Sequence, residues 1–158
     1  MAGDILTKYG TSGQALTISM ASVTANNGRE STAVDNSSNK WVDALLVVKI
    51  RTGASGTSTT GQVNIYAYGS VDGGSTYSGN ATGSDAALTP TNMVQIGSIA
   101  VAANATDYKS AVLSVAAAFN GVLPERWGIA ILNLAGSTLD STSGNFSATW
   151  QGVAASYT

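Results

Sequence analysis

The chain has 158 residues, the size of one ordinary domain, and contains neither Cys nor His. Those absences exclude disulfides, thiolate nucleophiles, Cys/His zinc sites and imidazole acid–base catalysis. Only 10% of residues are charged, against about 25% in ordinary soluble domains, the net charge is −2, and 20 Ser, 18 Thr, 18 Gly and 11 Asn supply the remaining polarity.

In chain order, the first apolar residues are Ile5, Leu6 and Tyr9. They are too apolar for a solvated tail, so residues 1–12 read as an extended N-terminal arm packed on its own or on another chain. Residues 13–158 read as one domain. A weak alternation over 14–24 puts Leu16, Ile18 and Met20 on one side. The clearest period-two signal is 41–51, where Val42, Ala44, Leu46, Val48 and Ile50 form one apolar face. Over 62–69, Val63, Ile65 and Ala67 point inward, leaving Asn64, Tyr66 and Tyr68 outward. Further strands are predicted over 93–101, 108–115, 127–134 and 145–154. The stretch Trp127 to Leu132 is apolar on both faces and belongs in the middle of a sheet.

Turn chemistry separates these segments. Asn27-Gly28, Asp72-Gly73-Gly74, Asn120-Gly121 and the run from Gly53 to Gly61 all favour tight reversals. One helical turn is predicted at Val115 to Phe119. The fold class is therefore all-β, an antiparallel β-sandwich of about seven to eight strands, with a jelly-roll-like version preferred. Two connections, 25–40 and 72–92, are too long for simple turns. The second is nearly all Gly, Ser, Thr, Ala and Asn and buries too little to order itself, which predicts a mobile loop or one ordered by a neighbouring subunit.

The sequence offers little catalytic chemistry. No Gly precedes a Lys, so a phosphate-binding Gly-Lys loop is absent, and Ser-His-Asp catalysis is impossible without His. Glu30 and Glu125 are the only Glu residues, and no spacing pairs them with each other or with an Asp as glycosidases require. Asp72 and Asp85 fall in a Gly-rich loop, but the alternating ligands and terminal Glu of a Ca²⁺ loop are missing. No cofactor, metal site or enzymatic activity is expected. The dispersed cations disfavour nucleic acid, and no apolar run is long enough for a membrane-spanning helix. The start of the chain lacks the apolar core of a signal peptide. Among the aromatics, Trp41, Trp127 and Trp150 sit where core residues belong, whereas Tyr66 and Tyr68 read as the better exposed pair for stacking on a sugar.

Three segments carry a resemblance: Trp41 to Ile50, Val63 to Gly74 and Gly121 to Ile129, the last containing Leu123-Pro124-Glu125-Arg126-Trp127. Together with the turn Asn133-Leu134-Ala135-Gly136-Ser137-Thr138-Leu139, they make residues 40–153 similar to a family of small tailed-bacteriophage virion proteins. The resemblance implies a structural role in the virion, and by size a head decoration, or cement, protein bridging major capsid subunits. It also implies a homotrimer on the phage head surface, made in the bacterial cytoplasm. A tail or neck component, or a glycan- or receptor-binding sandwich, is the alternative. The residues expected to meet a partner are Ile5, Leu6 and Tyr9 of the arm, with Tyr66 and Tyr68.

Overall fold

The computed structural model describes residues 5–157. They form the strands β1 (Ile5–Tyr9), β2 (Gln14–Ala15), β3 (Gly28–Glu30), β4 (Val34–Asp35), β5 (Asp43–Arg51) and β6 (Gly61–Ser70). The second half adds β7 (Ala86–Ala87), β8 (Val94–Val101), β9 (Asp107–Lys109), β10 (Leu113–Ser114), β11 (Arg126–Leu134) and β12 (Ser147–Tyr157). Two short 3-10 turns, Ala116–Phe119 and Ser143–Asn145, complete the described elements. The first is the helical turn expected before Gly121; it ends at Asn120 with a left-handed φ of 57°.

All strand pairs are antiparallel and fall in two sheets. The first has the order β1-β12-β5-β10, with β2 also on β12 and β9 also on β5. The second has the order β7-β3-β11-β6-β8, with β4 also on β11. Several short segments are one strand interrupted: β1 and β2 run along β12, β3 and β4 along β11, and β9 and β10 along β5. Counted that way, with β7 as a short edge addition, eight strands remain. Their order is first-eighth-third-sixth in one sheet and second-seventh-fourth-fifth in the other, the connectivity of a jelly roll.

The alternation of β5 sets the core. Ala44, Leu46, Val48 and Ile50 are fully buried against Val63, Ile65, Ile129 and Ile131 of the facing sheet. Each large aliphatic side chain so buried contributes about 1.5–3 kcal/mol. Trp127 and Trp150 meet edge to face across the sandwich, with centroids 5.1 Å apart. β11 lies between β3 and β6, the central position that its two-sided apolarity requires.

Three expectations change. Val42, counted in the core face, is exposed at the mouth of β5. Of 14–24, where a weak strand was expected, only Gln14–Ala15 is strand and residues 16–24 hold none, although Leu16 and Met20 are buried. The 25–40 connection instead contains β3 and β4, which its polar composition hid.

The largest correction concerns the 72–92 connection, which is ordered by its own chain. Thr82 and Gly83 donate to the buried Glu30 carboxylate. Asp85 pairs with Arg29 at 2.6 Å and accepts from the amide and hydroxyl of Ser19. The Tyr77 ring stands edge-on to Tyr68, with centroids 5.6 Å apart. The loop thus lies over the outer face of the second sheet, held by these polar contacts together with the Tyr77–Tyr68 contact and the buried Leu88.

Candidate interaction surface

The N-terminal arm is the edge strand of the first sheet. β1 pairs in register with the end of β12, from Ile5 opposite Tyr157 to Tyr9 opposite Val153. β5 pairs with β12 only as far as Val153, where Asp43 is its partner. Beyond that point β1 and β12 continue as a two-stranded ribbon of four residue pairs, about 13 Å long. No residue of β1 is buried, and Ile5, Leu6 and Tyr9 are 78%, 50% and 58% exposed. The arm therefore packs on its own chain through the backbone while its apolar side chains face outward.

Trp41 closes the base of the ribbon. Its indole occupies the space a side chain would need at Gly10 and Gly152: a Cβ there would fall 2.6 and 2.3 Å from ring carbons. Glycine at both positions lets the ring lie flat against the backbone. Beside it, Asn36, Ser37, Lys40, Val42, Val122, Leu123 and Glu125 line a groove of about 380 Å³. The Val42 carbonyl accepts from the Leu123 amide, which ties this end of β5 to the turn that leads into β11.

Apolar exposure is strongly polarised. Among the described residues, eight large hydrophobic side chains are exposed: Ile5, Leu6, Tyr9, Val42, Val71, Val94, Val112 and Val122. All except Val112 lie in the half of the sandwich from which the ribbon projects. That half holds the start of β5, the ends of β6 and β12, and the starts of β8 and β11. The opposite end carries an ionic cluster, in which Asp107 bridges Lys49 at 2.9 Å and Arg51 at 2.8 Å.

Charge at the ribbon end is sparse and mostly committed. Arg126 pairs with Asp35 at 3.0 Å. The Asp35 carboxyl is held below the usual range by the Ser37 hydroxyl and amide and, to a lesser degree, by Arg126. Asp43 accepts from the Ser114 hydroxyl and the Ala116 amide, so it caps the 3-10 turn. Glu125 and Lys40 form no ion pair among the described residues.

The other candidate residues are placed apart from this surface. Tyr66 is half-buried on the outer face of the second sheet, opposite Ala130. Tyr68, expected to be exposed, is fully buried, and its hydroxyl donates to the Ser31 carbonyl. Its ring fills the space over Gly128, where a Cβ would fall 2.3 Å from it, and the 72–92 loop covers it. Two alternating tyrosines look equivalent in sequence; the loop that buries one of them is not visible there. Tyr68 therefore cannot form an exposed stacking pair with Tyr66.

The acidic candidates are engaged in local structure. Asp72 accepts from the Ser70 hydroxyl and from the Thr76 amide and hydroxyl, closing its own turn. Glu30 is buried beneath the 72–92 loop, whereas Glu125 is exposed at the start of β11, so the fold does not make them a facing pair. A Ser-x-x-Lys spacing from Ser37 to Lys40 falls in a turn, with Lys40 at a φ of 52°. Among the described residues no hydrogen bond joins that Ser and Lys.

The exposed valines were missed in sequence. Val122 carried a signal, since it is an apolar residue directly after the Asn120-Gly121 turn, where solvent-facing polar residues are usual. No protein-family model, curated protein or solved structure matches the chain.

Proposed function

We propose that this protein is a non-enzymatic virion structural protein, a head decoration protein that binds a phage shell through its ribbon end and bridges neighbouring major capsid subunits. The observation that carries this reading is the gathering of seven exposed large hydrophobic residues at one end of a small jelly roll. Exposed apolar side chains concentrated in one half of a domain favour association there, because apolar area left in water is recovered on contact. The jelly roll is an architecture common in viral shells and in lectins. The resemblance over residues 40–153 favours the first of these, and the burial of Tyr68 removes half of the aromatic pair on which the second depended.

Mechanically, the sandwich would act as a rigid block. Its core fixes the relative positions of Trp41, Val42 and Val122, and the backbone ladder to β12 holds β1 at a set angle. Burial of the ribbon and groove would then supply binding energy that resists outward pressure on the shell. A trimer is the assembly implied by the resemblance. The test is stoichiometry in purified particles, measured by quantitative mass spectrometry against the major capsid protein. Decoration predicts a copy number that scales with the capsid subunits; a few copies per particle would instead assign the chain to the tail or neck.

A further inference from the structure

We infer that the N-terminal ribbon of one copy seats in the Trp41–Val42–Val122 groove of a second copy of this chain, so that copies join head to tail. The inference rests on the assembly reading above and names one partner of the same surface.

Three features point to it. First, the ribbon continues the first sheet past the end of the sandwich, so both faces of β1 are uncovered. Side chains alternate along it: Ile5, Thr7 and Tyr9 share one face, Leu6 and Lys8 the other. Leu6 and Lys8 continue the side that is the core side further along the sheet, as Leu6 pairs with Ser156 and Lys8 with Ala154, in phase with buried Gly152, Trp150 and Ala148. That side continues the core side, carries Leu6 and Lys8, and pairs with no second sheet among the described residues.

Second, the chain's own groove cannot accept its own arm. Trp41 covers Gly10, and β1 leads away from that point while it stays paired with residues 153–157 of β12. To reach the groove beside Trp41 it would have to reverse within a residue or two and break that ladder. A neighbouring copy has no such restriction.

Third, the two surfaces complement each other. The arm is a projecting ridge with Leu6 and an exposed cation, Lys8. The groove is a concavity walled by Val42 and Val122, with Glu125 exposed at its lip and unpaired among the described residues. Seating the ridge would bury Leu6 against Val42 and Val122 and bring Lys8 to Glu125. Ridge and groove are different patches, so the contact is heterologous and generates a ring when the rotation between copies closes.

The native chain has no Cys, so engineered pairs report without background. Leu6→Cys combined with Val122→Cys, oxidised in solution and on particles, should give disulfide-linked oligomers on a non-reducing gel, ending at one closed size. Leu6→Cys with Ser141→Cys, at the opposite end, should give at least tenfold less. Lys8→Glu and Glu125→Lys should each weaken self-association several-fold by sedimentation, and the double variant should restore it. Monomer only, equal crosslinking in the control pair, or no rescue in the double variant would overturn the inference. If particles still carry the chain at capsid stoichiometry while crosslinking fails, the head-to-tail contact is wrong and the decoration reading stands. If crosslinking succeeds with the chain absent from particles, the reverse holds.

Discussion

Thr82 donates both its amide and its hydroxyl to the carboxylate of Glu30, at 2.9 and 2.8 Å, and Gly83 adds a third donor at 3.2 Å. Glu30 is fully buried on β3 and has no cation partner among the described residues, so these donors are what offsets its burial. Together with Asp85 on Arg29, this side chain ties a loop of some twenty residues to that sheet's outer face.

Replacing Glu30 by Ala removes the acceptor of three hydrogen bonds from the loop, at exposed Thr82 and half-buried Gly83, and should cost about 1–3 kcal/mol. The released loop should expose Tyr77. Chymotrypsin should then cut after Tyr77 in native conditions at a rate well above that of the parent. Equal cleavage rates would show that the loop is held by something else.

Gly152→Ala tests the base of the ribbon. The new Cβ would collide with the Trp41 ring, 2.3 Å away, and push the indole off the backbone. Overpacking of this kind costs about 1–3 kcal/mol. Since Trp127 and Trp150 remain in the core, a red shift in tryptophan emission would report Trp41 moving into water. An unshifted spectrum at unchanged stability would contradict the packing described.

Tyr66 and Tyr68 should separate cleanly. Tyr68→Phe removes the donor to the buried Ser31 carbonyl and should cost about 1–2 kcal/mol. Tyr66→Phe, at a half-buried position, should change stability by less than half of that. Urea midpoints of the two variants are the measurement, and equal losses would refute the distinction.

The pH dependence follows from the carboxylates. Asp35, Asp72, Asp85, Asp107 and Asp140 all have pKa values lowered from the usual 3.8. For Asp85, burial works against the charge, and hydrogen bonds from Arg29 and Ser19 outweigh it. A depressed folded-state pKa gives stability that is present above the unfolded value and lost as pH falls through the folded one. Thermal midpoints should therefore stay level from about pH 5 to 8, where the chain has no His to titrate, and drop below about pH 4. Asp85→Asn should shrink that acid drop. A step between pH 5 and 8 would contradict this account.

Alternation made the long strands legible. β5, β6, β8, β11 and β12 all lie where apolar residues recur with period two or fill both faces. β3 and β4 were hidden because they are short and polar and gain their place by pairing with β11, a long-range partner that local pattern does not reveal. The ordered 72–92 loop was hidden for a related reason. Its stability comes from Glu30 and Arg29, some fifty residues earlier, and composition counts only what the loop itself can bury. Of the interaction surface, Ile5, Leu6 and Tyr9 were readable as apolar residues in an otherwise polar terminus. Val42 was not, since its alternation matched the core. Only the end of the facing sheet decides that it lies outside.

The central claim is that the ribbon end meets the particle. Cryo-electron microscopy of the native virion, resolved well enough to place the sandwich, tests it most directly. The account predicts jelly-roll density repeated across the head, with β1, Trp41 and Val122 toward the shell or a neighbouring copy, and the Lys49–Arg51–Asp107 end toward solvent. Density confined to the tail, or a sandwich seated on the ionic end with the ribbon free in solvent, would contradict it.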